Sequence, residues 1–169
     1  MPVPAYMKIT GTNQGDITTG ASTADSIGNI FKEGHSDEIL VQAFEHVVTI
    51  PTDPQSGQPS GQRVHKAVVV TKIFDKTSPQ LYLALCSAEV LTTVEFKWYR
   101  TAMTGGMEHY FTTKLEDAVI TNIKAYMPHC QDPTKATFTH LEEISLQYRK
   151  ITWTHEKCGV TGEDDWRRS

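Results

Sequence analysis

The chain has 169 residues, a length that fits one domain of ordinary size. Hydrophobic residues make up 38% of it and charged residues 21%, which is too apolar for a disordered chain and enough for one core. The 16 Lys and Arg against 20 Asp and Glu give a net charge of −4, so a general electrostatic attraction to nucleic acid or anionic lipid is excluded.

The first half of the chain is predicted to form three strands. A short alternating run covers Ala5–Thr10 and ends at Gly11. Residues 38–50, EILVQAFEHVVTI, carry apolar side chains on both sides, which is typical of a strand covered at least partly on both faces. Residues 64–74, VHKAVVVTKIF, are rich in β-branched residues and predict the third strand.

An extended loop at about residues 51–63, PTDPQSGQPSGQR, separates two of these strands. It contains three prolines and two glycines and has no other apolar residue. A structureless insert of this length is at the upper limit for a compact domain. It is therefore interpreted as either a functional loop or a disordered one.

One helix is predicted after the third strand. Ser78 is a plausible N-cap, with Pro79 at the first helical position. Apolar residues follow at the spacing of one helical face: Leu81, Ala84, Leu85 and Ala88. A helix of about eleven residues is too short to be stable alone, so we expect it to dock on the sheet.

The second half returns to strands. Thr93–Thr101 places Val94, Phe96 and Trp98 on one face. The turn at residues 104–106 then leads into 108–115, which is a good hairpin signal. A further strand is predicted over 118–127.

The last predicted strand changes phase along its length. Its apolar residues fall on even positions up to Tyr148 and on odd positions from Ile151, which a β-bulge near Arg149-Lys150 would produce. Roughly seven strands and one helix predict a mainly β fold over residues 1–169. We expect a single domain, a small β-barrel or sandwich of two sheets with one flanking α-helix.

The sequence offers little positive evidence for catalysis. Glu142-Glu143 and Asp164-Asp165 are paired acids, but neighbours on a strand point to opposite faces, so both pairs are interpreted as solvated. The seven histidines are scattered, with none near a Ser or Cys in a recognisable arrangement. We predict no catalytic residue, although a triad assembled from distant residues would leave no motif.

Two His–Cys pairs are the candidate ligands for a zinc ion. His129 and Cys130 are adjacent and would point to opposite sides of an extended chain, while His155 and Cys158 lie at a strand end before Gly159. We therefore predict no metal site and no cofactor. Cys86 is interpreted as a small core residue of the predicted helix.

The compartment is predicted from what the first residues contain. They show no basic region followed by an apolar one, and no apolar run approaches the ~20 residues of a membrane span. Three cysteines, an odd number, argue against a disulfide-stapled secreted fold. We expect folding in the cytoplasm, no membrane insertion, and export, if it occurs, by a route other than general secretion.

Several stretches carry a family likeness from end to end. They are GTNQGDITTGASTADSIGNI, HVVTIPTDPQSGQPSGQRVHKAVVVTK, VEFKWYRT, MPHCQDP, EISLQYRKITWTHE and DDW. The chain resembles Hcp, the haemolysin-coregulated protein that forms the inner tube of the bacterial type VI secretion apparatus. The SGQPSGQRVHK stretch is the most specific of these, because a Pro/Gly/Gln-rich loop that runs directly into a β-strand is not generic composition.

The resemblance implies a non-enzymatic structural subunit. Subunits of this family form homohexameric rings that stack into a tube, which a contractile sheath propels under a VgrG-type spike. Small effector proteins ride inside the ring, which acts as their chaperone. Secretion through the apparatus, without a signal peptide, follows the cytoplasmic stage. The chain ends soon after WTHE, which argues for a plain tube subunit without an added toxin domain.

We hypothesise that the extended loop stacks one ring on the next, because it offers polar donors and acceptors and little apolar area. Its contact residues would be Gln55, Ser56, Gln58, Pro59, Ser60, Gln62, Arg63 and His65. Two alternative functions are a ligand-binding β-barrel module and a small hydrolase on a barrel scaffold. The first should show a cavity lined by aromatic residues, and the second a titratable cluster in a cleft.

Overall fold

The computed structural model describes residues 3–167, and this part of the chain is mainly β. The strands are β1 Ala5–Gly11, β2 Gly15–Asp16, β3 Ile39–Glu45, β4 Val48–Thr49, β5 Val64–His65, β6 Val68–Ile73, β7 Leu91–Thr101, β8 Met107–Tyr126, β9 Leu141–Gln147, β10 Lys150–His155 and β11 Val160–Asp165. The helices are α1 Ala24–Ile27 and α2 Ser78–Cys86, with 3₁₀ turns at Gly28–Ile30 and Pro133–Lys135. Across residues 3–167, no helix has the length and apolar character needed to cross a membrane.

Six antiparallel strands close into a barrel. Their order is β8-β7-β1-β3-β6-β9, and β9 pairs again with β8 to complete the circle. Strand β2 pairs with β1, while β10 and β11 extend the sheet outward from β8. Strands β4 and β5 form a separate two-stranded sheet. The predicted small barrel of two sheets with a flanking helix is confirmed.

Strand β8 is continuous over 20 residues where the sequence predicted two strands. Its first half pairs with β10 as far as Glu116↔Lys150, and its second half pairs with β9 from Val119 onward. Between the two halves lies Asp117, whose φ of 52° is in the left-handed region. The strand therefore bends at one residue as it changes partners, instead of ending in a turn.

The phase change predicted near Arg149-Lys150 lies at this same corner. Strand β9 ends at Gln147 and β10 begins at Lys150, so one predicted strand is in fact two. Arg149 Nε donates to Asp117 Oδ2 at 2.8 Å, which ties the break in one chain segment to the bend in the other.

The barrel interior is packed with side chains. The largest fully buried apolar residues are Met7, Ile9, Ile17, Ile39, Leu81, Leu91, Phe96, Leu115, Ile144, Leu146 and Tyr148. Burying an aliphatic side chain of this size contributes about 1.5–3 kcal/mol each. A six-stranded barrel is narrow enough for such side chains to fill it, which disfavours the ligand-barrel alternative.

The two strands predicted beside the extended loop are each divided in two. Strand β3 ends at Glu45 and the chain leaves the barrel before it forms β4; on the return, β5 ends at His65 before β6 begins. Coverage of β3 on both faces is only partial, since Ile39 and Val41 are buried on one face while Leu40 on the other is half-buried.

Helix α2 begins one residue earlier than predicted. Thr77 precedes the helix and Ser78 is its first residue, so the N-cap prediction is wrong by one position. Leu81 and Ala84 are buried against the barrel as the pattern predicted. Cys86 is exposed, so its interpretation as a core residue is wrong. Cys86 lies on the face of the helix that points away from the barrel.

A buried ion pair joins this helix to the barrel. Lys72 Nζ lies 2.8 Å from Glu142 Oε2 and 3.2 Å from Asp75 Oδ1, and it donates to Ser78 Oγ at 3.1 Å. The Lys72 and Glu142 side chains are 0% and 2% exposed. The interpretation of Glu142-Glu143 as a solvated pair is therefore wrong for Glu142, because Lys72 from the adjacent strand compensates its charge in the interior.

Candidate functional site: the extended loop and its root

The extended loop forms a β-hairpin and is not the structureless insert that the sequence predicted. Val48 pairs with His65 and Thr49 with Val64 in the β4–β5 sheet, and an isolated bridge joins Thr52 to Pro59 farther out. Residues 51–62 are all exposed, so the hairpin projects from the barrel into solvent.

The tip of the hairpin is a turn held by hydrogen bonds to Asp53. Its carboxylate accepts from the backbone N–H of Gln55 at 2.9 Å and from the hydroxyl of Ser56 at 3.1 Å. These two bonds, in that order, lower the pKa of Asp53 below its usual value. Asp53 N–H also donates to Gln58 O at 2.8 Å, and Gly57 adopts a φ of 72° that a side chain would strain.

The root of the hairpin is tied to the last strand. Arg63 donates from Nε to Asp164 Oδ2 at 2.6 Å and from Nη2 to Asp164 Oδ1 at 2.9 Å. His65 Nε2 lies 2.7 Å from the same Oδ2. The bond from Arg63 is the main cause that lowers the pKa of Asp164, with a further contribution from His65 against the opposing effect of burial. A two-bond guanidinium–carboxylate pair fixes direction as well as distance.

A second connection runs through a buried tyrosine. The Tyr148 hydroxyl lies 2.5 Å from His65 Nδ1 and 2.7 Å from His46 Nε2, so it bridges the two strands of the hairpin at their base. Burial, and then the charge of Asp164, raise the pKa of Tyr148. Such a phenol stays protonated and is a poor nucleophile, although it lies beside a His–Asp pair.

An aromatic ring covers this cluster. The Trp166 ring stacks on that of His65 with centroids 5.3 Å apart and 20° between the planes. Its Nε1 donates to Tyr148 O at 2.7 Å. His65 is 2% exposed as a result. The hairpin root is therefore held by named side-chain contacts on β11 and on the β9–β10 corner.

The residues predicted for the loop contact thus divide into two sets. The outer set is exposed: Gln55, Ser56, Gln58, Pro59, Ser60 and Gln62. Arg63 and His65 instead bind within the chain, through Asp164. Sequence reasoning missed Tyr148, Asp164 and Trp166 as parts of the site, and the interpretation of Asp164-Asp165 as merely solvated is wrong because Asp164 has these two partners.

The four residues weighed for zinc lie elsewhere. His155 Nδ1 accepts from the backbone N–H of Cys158 at 3.2 Å in the β10–β11 turn, and His129 Nδ1 accepts from Gln131 N–H at 3.3 Å. Among residues 3–167, no group of three or more His, Cys, Asp and Glu side chains is placed to hold a metal ion.

Comparison with known proteins gives a consistent result. A family model described as "Type VI secretion system effector, Hcp" matches residues 6–155. The chain is 64% identical over 167 residues to the "Major exported protein" of Pseudomonas aeruginosa, covering 99% of this chain and 97% of that one. A solved structure described as "Crystal structure of Hcp protein" matches with a TM-score of 0.92 and 54% identity, covering 97% of this chain and 99% of the other. The "Secreted protein Hcp3 from Pseudomonas aeruginosa" matches with a TM-score of 0.83 and 55% identity, covering 98% and 99%.

Proposed function

The chain belongs to the Hcp family of the type VI secretion system, and from this premise we propose that it is a structural tube subunit. Six copies close into a ring, the rings stack into a tube, and the tube leaves the cell. The observation that carries this proposal is the exposed hairpin of residues 46–65, which projects from the barrel on an anchored root.

The composition of the hairpin supports contact with further copies of the chain. Val47 and Val64 lie on one face of the two-stranded sheet and Val48 and Ile50 on the other, and all four are 39–48% exposed. An isolated two-stranded ribbon is at best marginally stable. Apolar side chains on both faces are therefore expected to be covered, and in a homo-oligomer a second copy covers them.

The outer part of the hairpin suits a different contact. Residues 51–62 are polar apart from their prolines, and hydrogen bonds around Asp53 order the turn at residues 53–58. A preorganised polar loop loses less conformational entropy on docking than a flexible loop does. It can therefore contact the next ring through direct and water-mediated hydrogen bonds. In this proposal Gln55, Ser56, Gln58, Pro59, Ser60 and Gln62 make that contact, while Arg63 and His65 hold the direction of the loop.

The remaining partners are proposed from the family. They are a VgrG-type spike at the tip, a contractile sheath around the tube and small effector proteins within the lumen. The route is assembly in the cytoplasm followed by export through the apparatus. The name "Major exported protein" of a relative that is 64% identical supports export.

Replacement of residues 55–62 by a short Gly-Ser turn tests the proposal. Because the root at Arg63 and His65 remains, hexamers should persist in size-exclusion chromatography with light scattering. Tubes in electron micrographs and secretion should both be lost. Secretion at the normal level would rule out the stacking role, and dissociation to monomers would assign the loop to the ring interface instead.

A further inference from the structure

Four side chains at the hairpin root form one hydrogen-bonded series. In order they are His46, Tyr148, His65 and Asp164, joined by contacts of 2.7, 2.5 and 2.7 Å. Asp164 accepts, so His65 Nε2 carries a hydrogen. With neutral His65, Nδ1 then accepts from the Tyr148 hydroxyl, whose oxygen accepts from His46 Nε2–H. Every hydrogen in the neutral series has an acceptor.

The series also accommodates one added proton. When His65 is protonated at both nitrogens, its Nδ1–H donates to the Tyr148 oxygen. The Tyr148 hydroxyl then turns its own hydrogen to His46 Nε2, which accepts it in the other neutral tautomer. Asp164 lies against the charged ring and compensates it. All three contacts survive, with the donor reversed in both contacts of the tyrosine and unchanged in the contact of His65 with Asp164.

A second proton cannot be accommodated. With both imidazoles charged, both donate to the Tyr148 oxygen, and the hydroxyl hydrogen has no acceptor between them. Two positive rings would then lie with centroids 6.4 Å apart. An unsatisfied buried donor and a close like-charge pair both oppose the contact. One of the two imidazoles must therefore leave the tyrosine.

The imidazole that leaves is His46. It is the more exposed of the two and lacks the carboxylate that holds His65. Burial, and then the proximity of His65, lower its pKa below the usual value. The charged groups near the series are Arg63 on the hairpin, Asp164 and Asp165 on β11, and Arg149 at the β9–β10 corner.

We propose that His46, Tyr148, His65 and Asp164 form an acid-sensitive latch, which admits one proton and opens on the second. Opening detaches His46, which lies between β3 and β4, from the Tyr148 hydroxyl, while Arg63, directly before β5, still binds Asp164. The outgoing side of the hairpin then loses its tie at Tyr148, while the returning side keeps its contacts with Asp164 and the barrel is unchanged. The consequence for assembly rests on the function proposed above: mild acid separates stacked rings and leaves each ring intact.

Hydrogen exchange at the hairpin root tests the latch directly. The reporter is the Lys66 N–H, which donates to Val47 O at 3.0 Å across the base of the ribbon. Its protection, corrected for intrinsic exchange, should fall about tenfold between about pH 7.5 and about pH 5. In H46Q the glutamine amide still donates to Tyr148 but cannot be protonated, so protection should change less than about twofold. H129Q, at an exposed histidine, should behave as wild type.

Ring-labelled histidine gives a second readout that needs no variant. The His46 carbon signal should titrate below the usual histidine range, because burial and the nearby His65 ring lower the pKa of His46. A His46 signal that titrates at or above about pH 6.5 would overturn the latch, as would wild-type protection that does not change with pH.

Assembly separates this inference from the proposed function. Wild-type tubes should fall apart into rings at about pH 5, whereas H46Q tubes should persist. If the variant with the shortened loop still forms tubes at about pH 7.5, the proposed stacking function fails, and the exchange result still decides the latch. If H46Q and wild type lose protection equally in acid, the latch fails while the stacking role stands.

Discussion

The guanidinium of Arg63 and the carboxylate of Asp164 form a two-bond ion pair between residues 101 positions apart, with contacts of 2.6 and 2.9 Å. The pair joins the returning strand of the extended hairpin to β11, the last strand of the sheet. Because His65 binds the same carboxylate, one side chain on β11 sets the direction of the hairpin.

Asp164→Asn should therefore loosen the hairpin root and spare the barrel. The amide is neutral and places an N–H group where one of the two donors now points, so the root loses its charge-assisted bonds. Hydrogen exchange across residues 46–66 should speed up, and exchange in the barrel strands should not. Glu163→Gln is the matched control, because that neighbour on β11 is 60% exposed and pairs with Lys150. Equal effects from both variants would contradict the account.

Tyr148→Phe should destabilise the fold by about 1–3 kcal/mol, because two imidazoles lose their shared partner in a buried site. For a chain of this size each kcal/mol lowers the melting temperature by about 2–4 °C. Tyr82→Phe removes a hydroxyl from an exposed position of α2 and serves as the control. A melting temperature for Tyr148→Phe that matches this control would show that the bridge contributes nothing.

Lys72→Met should cost about 3–5 kcal/mol, because it leaves Glu142 and Asp75 without their buried counter-charge. Lys72→Met combined with Glu142→Leu should cost less than the sum of the two single changes. Urea denaturation of the four proteins of this cycle measures the coupling. Strict additivity would mean that the 2.8 Å contact carries no net interaction energy.

The free energy of unfolding should depend on pH in two steps. Folding lowers the pKa of His46 from 6.5, so the unfolded chain takes up the proton first and stability falls as pH drops below that value. Folding also lowers the pKa of Asp164 from 3.8, which adds a second loss of stability in stronger acid. Urea midpoints measured across this range should lose the upper step in H46Q. The lower step should become smaller in Asp164→Asn and not disappear, because folding also lowers the pKa of other carboxyl groups, such as Asp53. A flat profile in wild type would contradict both assignments.

The barrel could be predicted from the sequence because apolar and polar residues alternate along its strands. Val94 and Phe96 are buried on one side of β7, as their spacing predicts, and the Gly-Gly turn forms the predicted hairpin. Strand β11 was not predicted, since VTGEDD has one apolar residue, and Val160 is 65% exposed. Strand β11 is held by its pairing with β10 and by the contacts of Asp164. Neither produces a periodic pattern of apolar residues in the sequence.

Only the outer part of the candidate site, the loop itself, could be predicted from the sequence. Composition identified the loop, because prolines and glycines cluster there. Its root depends on contacts between residues 83 to 102 positions apart, such as His65 with Tyr148 and His46 with Tyr148. Such separations leave no local pattern, and the same holds for Lys72 and Glu142, whose pairing depends on the register of β6 with β9.

Native mass spectrometry of the intact chain in physiological salt tests the central claim, that this protein is a ring-forming tube subunit, most directly. The account predicts a homohexamer at micromolar concentration, with hexamers retained when residues 55–62 are replaced. A clean monomer under the same conditions would contradict it.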